Sequence, residues 1–579
     1  MERIKRQLDD IVDVNNNNKK QKIFATTNQF NFENLANEII YDIFEYLDVY
    51  DIYYGFYHLN KRFKNLTIYS NLHCQVDIST MSKSNFESYY EDIIKPNKNR
   101  IKILRLSNPF TIDLIFSPPR VIYILITFLK HLIYLPKLHS LTVSTIDNIP
   151  NPSSIFIQIF QLTKFKYCKI KHNEDGSPIN FDECKQSSIE HLIIDSPFRY
   201  ELFNKLLTCL PKLRHLSINY LTGSNYSEID FYPILLKDLK SVSFGIYSVH
   251  FEEFKKLTEN FFNSIESLRI STHNNSSYSH AKQWEELISS SMPNLRSFDL
   301  QNHYAGAMQK FLYSCLGGKF GSKFWTEKQW FFKNQDGDHK SSDNGLFFSI
   351  NPYRKYHTFH WHSDHYNAFR SRRIIFKSVK HLYICGKQAI NNSVSYFPNV
   401  TELTIKDYAR IYCGSMLAAL NEMIPLKQLN KLTIDCNDFP INKLVNLLSL
   451  TPNLRTLKWN FQSVDHPQLK LIQQSETFRF VSRTNKIQNL EIAHSCTLYE
   501  IYFLVDLFPQ LECLKTGINR KEFVIIARHF VSKMPHLFYL CITDLSKTYS
   551  QKLNILIKAE NLLDDYFIKF VDRDFYLWW

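Results

Sequence analysis

The chain of 579 residues is 44% hydrophobic and 22% charged, a balance that supports a large core and leaves room for several domains or one long repeat array. No stretch approaches the roughly 18 unbroken apolar residues of a bilayer span. The start lacks the apolar core of a secretory signal, and the 11 cysteines are scattered without a Cys-x-x-Cys pair, so an intracellular protein, nuclear or cytoplasmic and without a membrane partner, is expected. Only 13 glycines occur, which disfavours chemistry on glycine-rich phosphate loops, while the formal charge of +13 keeps polyanionic partners in view.

Residues 1–29 are polar, aperiodic and contain the run Asn15 to Asn18, which reads as a disordered basic tail. Within it Lys5-Arg6 and Lys19-Lys20-Gln21-Lys22 are spaced like a bipartite nuclear import signal; a merely solvated basic tail fits equally well. Residues 30–75 then show helical spacing. Apolar side chains recur at Leu35, Ile39, Ile40, Ile43, Phe44, Tyr46 and Leu47, Asp48 and Asp51 interrupt them, and Ile52, Phe56, Leu59 and Phe63 continue at steps of four, three and four. Two short amphipathic helices of this size are expected to bury apolar surface against something else.

That segment resembles the F-box, through Leu35, Glu38, Ile39, Ile40, Ile43, Tyr46, Leu47, Asp48, Asp51, Ile52, Leu59, Arg62 and Phe63, with Ala36 standing where the family usually has proline. The resemblance implies docking on a Skp-type adaptor of a cullin ubiquitin ligase, with Leu35, Glu38, Ile39, Ile40, Ile43, Tyr46, Leu47, Ile52, Leu59 and Phe63 as the adaptor-binding set, in a helix-in-groove mode. An ordinary helical cap on the following domain is the alternative.

From residue 97 to 545 a six-residue pattern, apolar at positions one, four and six, occurs fourteen times, beginning at Ile101, Leu138, Ile189, Leu213, Leu239, Ile265, Leu295, Val379, Val400, Leu429, Leu454, Ile487, Leu511 and Leu537. After residue 189 most starts fall 21 to 33 residues apart, and half the units carry proline two places earlier, as at Pro211 and Pro452. Strand alternation sends the apolar positions inward and the others to solvent, with amphipathic stretches between strands able to pack as helices. The period resembles that of leucine-rich repeats, which implies an α/β solenoid, an irregular horseshoe preceded by the small helical F-box. The family's turn asparagine at position nine survives only at Asn437 and Asn519, so irregular turns are expected, and residues 107–188 read as insertions or degenerate repeats. Residues 546–579 read as a C-terminal cap.

The period fails at 301–378, an insertion holding twelve basic and five acidic side chains together with Phe324-Trp325, Trp330-Phe331-Phe332, Arg354-Lys355 and Arg372-Arg373. A small satellite core is the favoured reading; stacking of single-stranded nucleic acid on rings flanked by basic residues is the disfavoured one. The series His357, His360, His362, Asp364 and His365 matches neither one helical face nor a zinc finger, so no metal and no cofactor is expected, and no catalytic constellation is found.

The expected function is therefore that of a non-catalytic substrate receptor of an SCF-type ubiquitin ligase, which positions an unknown target protein near the ligase. The target is expected on solvent-facing strand positions, Arg214, His215, Glu266, Arg269, Glu402, Lys431, Arg455 and Glu491. A leucine-rich scaffold unconnected to a ligase, or nucleic-acid binding through the insertion, are the alternatives.

Overall fold

The computed structural model describes the chain from residue 33 to 579 except 34, 46, 48–51, 70–73, 78–81, 97–100, 107–134, 136, 149–152, 163, 174–178, 224–230, 235, 274, 305–318, 337–344, 350–355, 361–373, 386–394, 407–415, 437–438, 461–465 and 572. The basic tail, Tyr46, Asn437 and the series from His362 to Arg373 therefore lie outside the described residues. The chain divides into two compact units, residues 1–72 and 73–579.

In the first unit the helices Asn37–Glu45 and Lys61–Tyr69 flank a π-helical turn, Tyr53–Tyr57. Ile40, Phe44, Ile52, Phe63 and Leu66 form its core, with Leu35, Tyr41, Leu47 and Phe56 packed against it. The rings of Phe44, Phe56 and Phe63 run through it at 5.1 and 5.7 Å. Without the usual proline at Ala36, the start of the first helix is fixed from across the unit: Arg62 donates to Asn37 Oδ1 at 3.0 and 2.7 Å and to the carbonyls of Glu33 and Leu35. One planar guanidinium thus gathers three acceptors that a free chain end would leave to water.

The second unit is α/β, with two large, mostly parallel sheets and no closed barrel. Every one of the fourteen apolar units contributes a strand, seven to each sheet, and within each sheet these strands follow one another in chain order. Equivalent positions pair: Leu192 with Leu216, Leu216 with Val242, Leu403 with Leu432, Leu432 with Leu457. The amphipathic stretches between them form helices, including Phe251–Phe261, Ala281–Ser291, Ile441–Ser449, Leu498–Leu507 and Phe523–Lys533. Their apolar faces and the inward strand positions are almost fully buried, as at Phe254, Leu257, Leu444 and Ile526. Each such residue contributes roughly 1.5–3 kcal/mol of burial.

Two strands fall where the periodicity was read as degenerate or absent. Tyr167–Asn173 lies between Ser140–Asn148 and His191–Arg199, its inward positions filled by Phe165, Cys168 and Ile170. Cysteine at the fourth position is small and apolar enough to pack, so this is a complete unit with a disguised sequence. Cys74–Asp77 adds a parallel strand ahead of Ile101–Leu106. The insertion is less separate than expected, since Gly345–Ser349 continues the first sheet antiparallel to Ser297–Tyr304, Phe332–Asp336 pairs antiparallel to Gly345–Ser349 at the edge, and Tyr356–His360 opens the second sheet.

The C-terminal residues likewise join a sheet: Phe567–Val571 and Asp574–Trp578 close its edge on Tyr539–Thr543. The two ends of the unit meet there. Lys83 N donates to Trp579 O at 3.3 Å, and the buried Lys83 ammonium pairs with Asp565 and lies 4.9 Å from the Phe567 ring centroid.

A recurring side-chain bond marks the turn that leads into several strands. The polar residue just before position one donates to a carbonyl of the preceding unit: Ser188 to Phe165, Ser264 to Leu239, Asn399 to Lys377, Gln428 to Val400 and Asn453 to Lys427. These bonds satisfy backbone oxygens in the helix-to-strand turns, which burial would otherwise penalise.

Candidate protein-interaction surfaces

The ten residues expected to meet an adaptor are divided by the first unit's own packing. Ile40, Ile52 and Phe63 are interior, and Leu35, Ile43 and Leu47 are half-buried. Glu38 is exposed, as are Ile39 at 46% and Leu59 at 56%, and Tyr54, which spacing did not single out, reaches 70%. The unit thus exposes three large apolar side chains besides its own core.

On the strands, position two forms a continuous backbone rung. The amides of His139, Lys166, Glu190, Arg214, Lys240, Glu266 and Arg296 each donate to the carbonyl of the preceding member, beginning at Lys102. Each of the rung's two carboxylates stands between two cations: Glu190 sits 3.0 Å from Lys166 and 3.6 Å from Arg214, and Glu266 sits 3.0 Å from Lys240 and 3.9 Å from Arg296. Lys166 and Lys240 hold these two carboxyls below the usual range. Arg269 donates to Asp299 at 3.1 Å, Glu402 lies 3.5 Å from both Lys431 and His381, and Lys458 reaches Glu491 at 2.9 Å. Burial, then the neighbouring charges of His191 and Arg269, hold His215 below the ordinary histidine range. Arg455 is exposed. Arg214, Glu266, Arg269, Glu402, Lys431 and Glu491 thus sit in internal ion pairs, and surface pairs of this kind are each worth at most about 1 kcal/mol and open to exchange with a charged partner.

Sequence reading missed a second row. Tyr220, Tyr247, His273 and His303, from four consecutive units, stack ring on ring at centroid separations of 5.4, 5.1 and 4.7 Å with interplanar angles of 24°, 13° and 11°. The spacing follows from the roughly 4.8 Å between paired strands. Tyr220 is 40% and Tyr247 45% exposed, so the row presents a polarisable surface to solvent. Burial and then the charge of Lys406 hold His273 below the ordinary range, which keeps the imidazole neutral near pH 7. The row exists because Gly245 lets strand Ser241–Ile246 approach its neighbour: a Cβ there would fall well inside contact with Asn219 O. The shared offset of rings eight or nine places into each unit was the available signal.

The described rings of the insertion face one another. Trp325, Phe320 and Trp330 are buried, Phe320 lies 4.5 Å from Phe332, Phe332 stacks on Phe347 at 4°, and Trp325 packs on Phe298 of the sheet. His357 is buried between Phe348, Phe376 and Phe397 at 5.1, 4.8 and 5.4 Å, far from any metal-ligand role.

Among the described residues no helix is long and apolar enough to cross a membrane. No protein-family model matches the chain, and no curated protein matches its sequence.

Proposed function

We propose that the chain is the substrate receptor of an SCF-type ubiquitin ligase, built as an F-box joined to a leucine-rich-repeat horseshoe. The carrying observation is the exposure of Ile39, Tyr54 and Leu59 on a helical unit that already has its own core. Such surplus apolar surface suits the groove of a Skp-type adaptor, and Glu38 supplies a charged rim. The repeat reading is supported by fourteen strands that carry one apolar pattern, with side-chain bonds linking five of the turns to the preceding unit. The row from Tyr220 to His303 is the target-binding surface, where exposed tyrosines flanked by ion-pair rows form an anchor for aromatic or arginine side chains of a protein target. No bond chemistry is assigned to the chain itself.

Co-expression of the full chain with a Skp-type adaptor tests this. The adaptor is expected to co-purify, and to be lost from Ile39→Asp combined with Leu59→Asp. Failure of the wild-type chain to retain any adaptor sinks the ligase reading and leaves a repeat scaffold. Tyr220→Ala with Tyr247→Ala is expected to keep the adaptor and lose the captured target.

A further inference from the structure

A second site lies at the end of strand Asn489–Cys496. His494 and Cys496 are two residues apart on that strand and so share a face. Helix Leu498–Leu507 begins immediately afterwards and places Glu500 in its first turn. The three donor atoms lie within 4.8 Å of one another: His494 Nε2 is 3.8 Å from Cys496 Sγ and 3.7 Å from Glu500 Oε2.

Tetrahedral zinc, with ligand bonds of about 2.0 Å to nitrogen and oxygen and 2.3 Å to sulfur, spaces its donors roughly 3.3–3.6 Å apart. The two His494 edges are within a few tenths of an ångström of that spacing, and the Cys496–Glu500 edge, at up to 4.8 Å, has to close by about 1 Å to seat the ion. We propose that His494, Cys496 and Glu500 form a zinc site, with the fourth position left to water on the partly exposed histidine side. On loading, Cys496 gives its thiol proton to solvent and binds through sulfur, His494 binds through Nε2, and Glu500 binds through a carboxylate oxygen.

The surroundings are built around these donors. Glu500 is 1% exposed, and its Oε2 accepts from Thr497 N at 2.8 Å and Thr497 Oγ1 at 3.0 Å, so the carboxylate is held by the cap that starts the helix. Cys496 is fully buried, with Thr516 Oγ1 donating to its sulfur at 3.3 Å, the kind of outer contact that orients a metal thiolate. Pairing with strand Cys513–Ile518 shifts register between Glu491 and Ser495, so the irregularity falls at the donors' end of the strand. Gly517 makes the approach possible, since a Cβ there would meet Ser495 Oγ at 2.8 Å and His494 O at 3.1 Å. A carboxylate, an imidazole and a thiol converging in a nearly dry place suit a borderline divalent cation such as zinc better than calcium or magnesium, which take oxygen ligands.

The test uses the full chain, produced without a histidine tag, loaded with zinc and dialysed without chelator, with metal counted by mass spectrometry. About one zinc ion per chain is expected, falling to less than about a tenth in Cys496→Ala and in His494→Ala, and unchanged in Cys513→Ala. Cobalt loading of the wild-type chain gives an independent reading that needs no variant: a thiolate-to-cobalt charge-transfer band and tetrahedral ligand-field bands are expected. Failure of the wild-type chain to hold zinc, full retention by both ligand variants, or a cobalt spectrum of six-coordinate oxygen type without the thiolate band overturns the site.

Discussion

Replacing Ile39 and Leu59 together by alanine separates recognition from folding in the first unit. Full burial of an isoleucine or leucine side chain is worth roughly 1.5–3 kcal/mol. These two are 46% and 56% exposed, so a partner that covers them gains about half of that from each. The pair is then worth about 1.5–3 kcal/mol of adaptor binding, a roughly 10- to 100-fold loss in affinity on truncation. The unit's own stability should hardly change. Ile40→Ala is the contrasting perturbation, because Ile40 is fully buried among Phe44, Ile52, Phe63 and Leu66. Emptying that place costs about 2–5 kcal/mol, a large share of what so small a core provides. Calorimetric titration of the full chain with a Skp-type adaptor, alongside hydrogen exchange over residues 33–69, distinguishes the two effects. Native-like affinity in the Ile39, Leu59 double variant would refute the reasoning, as would loss of exchange protection in that variant.

Arg62→Ala should loosen the start of helix Asn37–Glu45 by about 1–3 kcal/mol, because the Glu33 and Leu35 carbonyls lose their charged donor; exchange protection from Glu38 to Tyr41 reads this, and unchanged protection refutes it. Gly245→Ala should destabilise the second unit by about 3 kcal/mol, since the added carbon meets backbone that cannot swing away; an unaltered denaturant midpoint would contradict the close approach. Burial lowers the His381 pKa to about 4 despite Glu402, with Lys431 and Lys406 adding to the effect. Between that value and the ordinary 6.5 the unfolded chain binds a proton that the folded chain does not, so stability should fall by up to about 3 kcal/mol as the pH drops through this window. His381→Gln keeps a partner for Thr404 and should flatten the acid limb; an identical limb in the variant refutes the assignment.

The parallel strands were legible because their signal is redundant. Leu192, Ile194, Leu216, Ile218, Val242 and Phe244 repeat one pattern, so an error at one unit is outvoted by its neighbours. Where a unit uses unusual residues, as with Phe165 and Cys168, the pattern is the same physically but the letters hide it, since any small apolar side chain fills the inward position. The missing turn asparagine led to an expectation of irregular turns. Ser188, Ser264 and Gln428 carry recurring bonds in the opposite turn, the one that leads into the strand. What the fold requires is a satisfied carbonyl, and a motif specifies only one side chain able to satisfy it.

The surfaces were less legible for a related reason. Strand alternation identifies outward positions, but it cannot tell which outward groups neutralise one another across strands. Glu190 and Glu266 each stand between two cations only because successive units stack in register. Tyr220, Tyr247, His273 and His303 are separated by 26 or more residues and become a single surface only when the strands pair. The rows differ in what a partner gains. Charge pairs already satisfy each other, so a target that displaces them gains little beyond exchange, whereas a ring face toward water gives up no bond when it is covered. On the proposed reading, the asymmetry would put affinity for a target on the ring row and leave the charge rows to set its alignment.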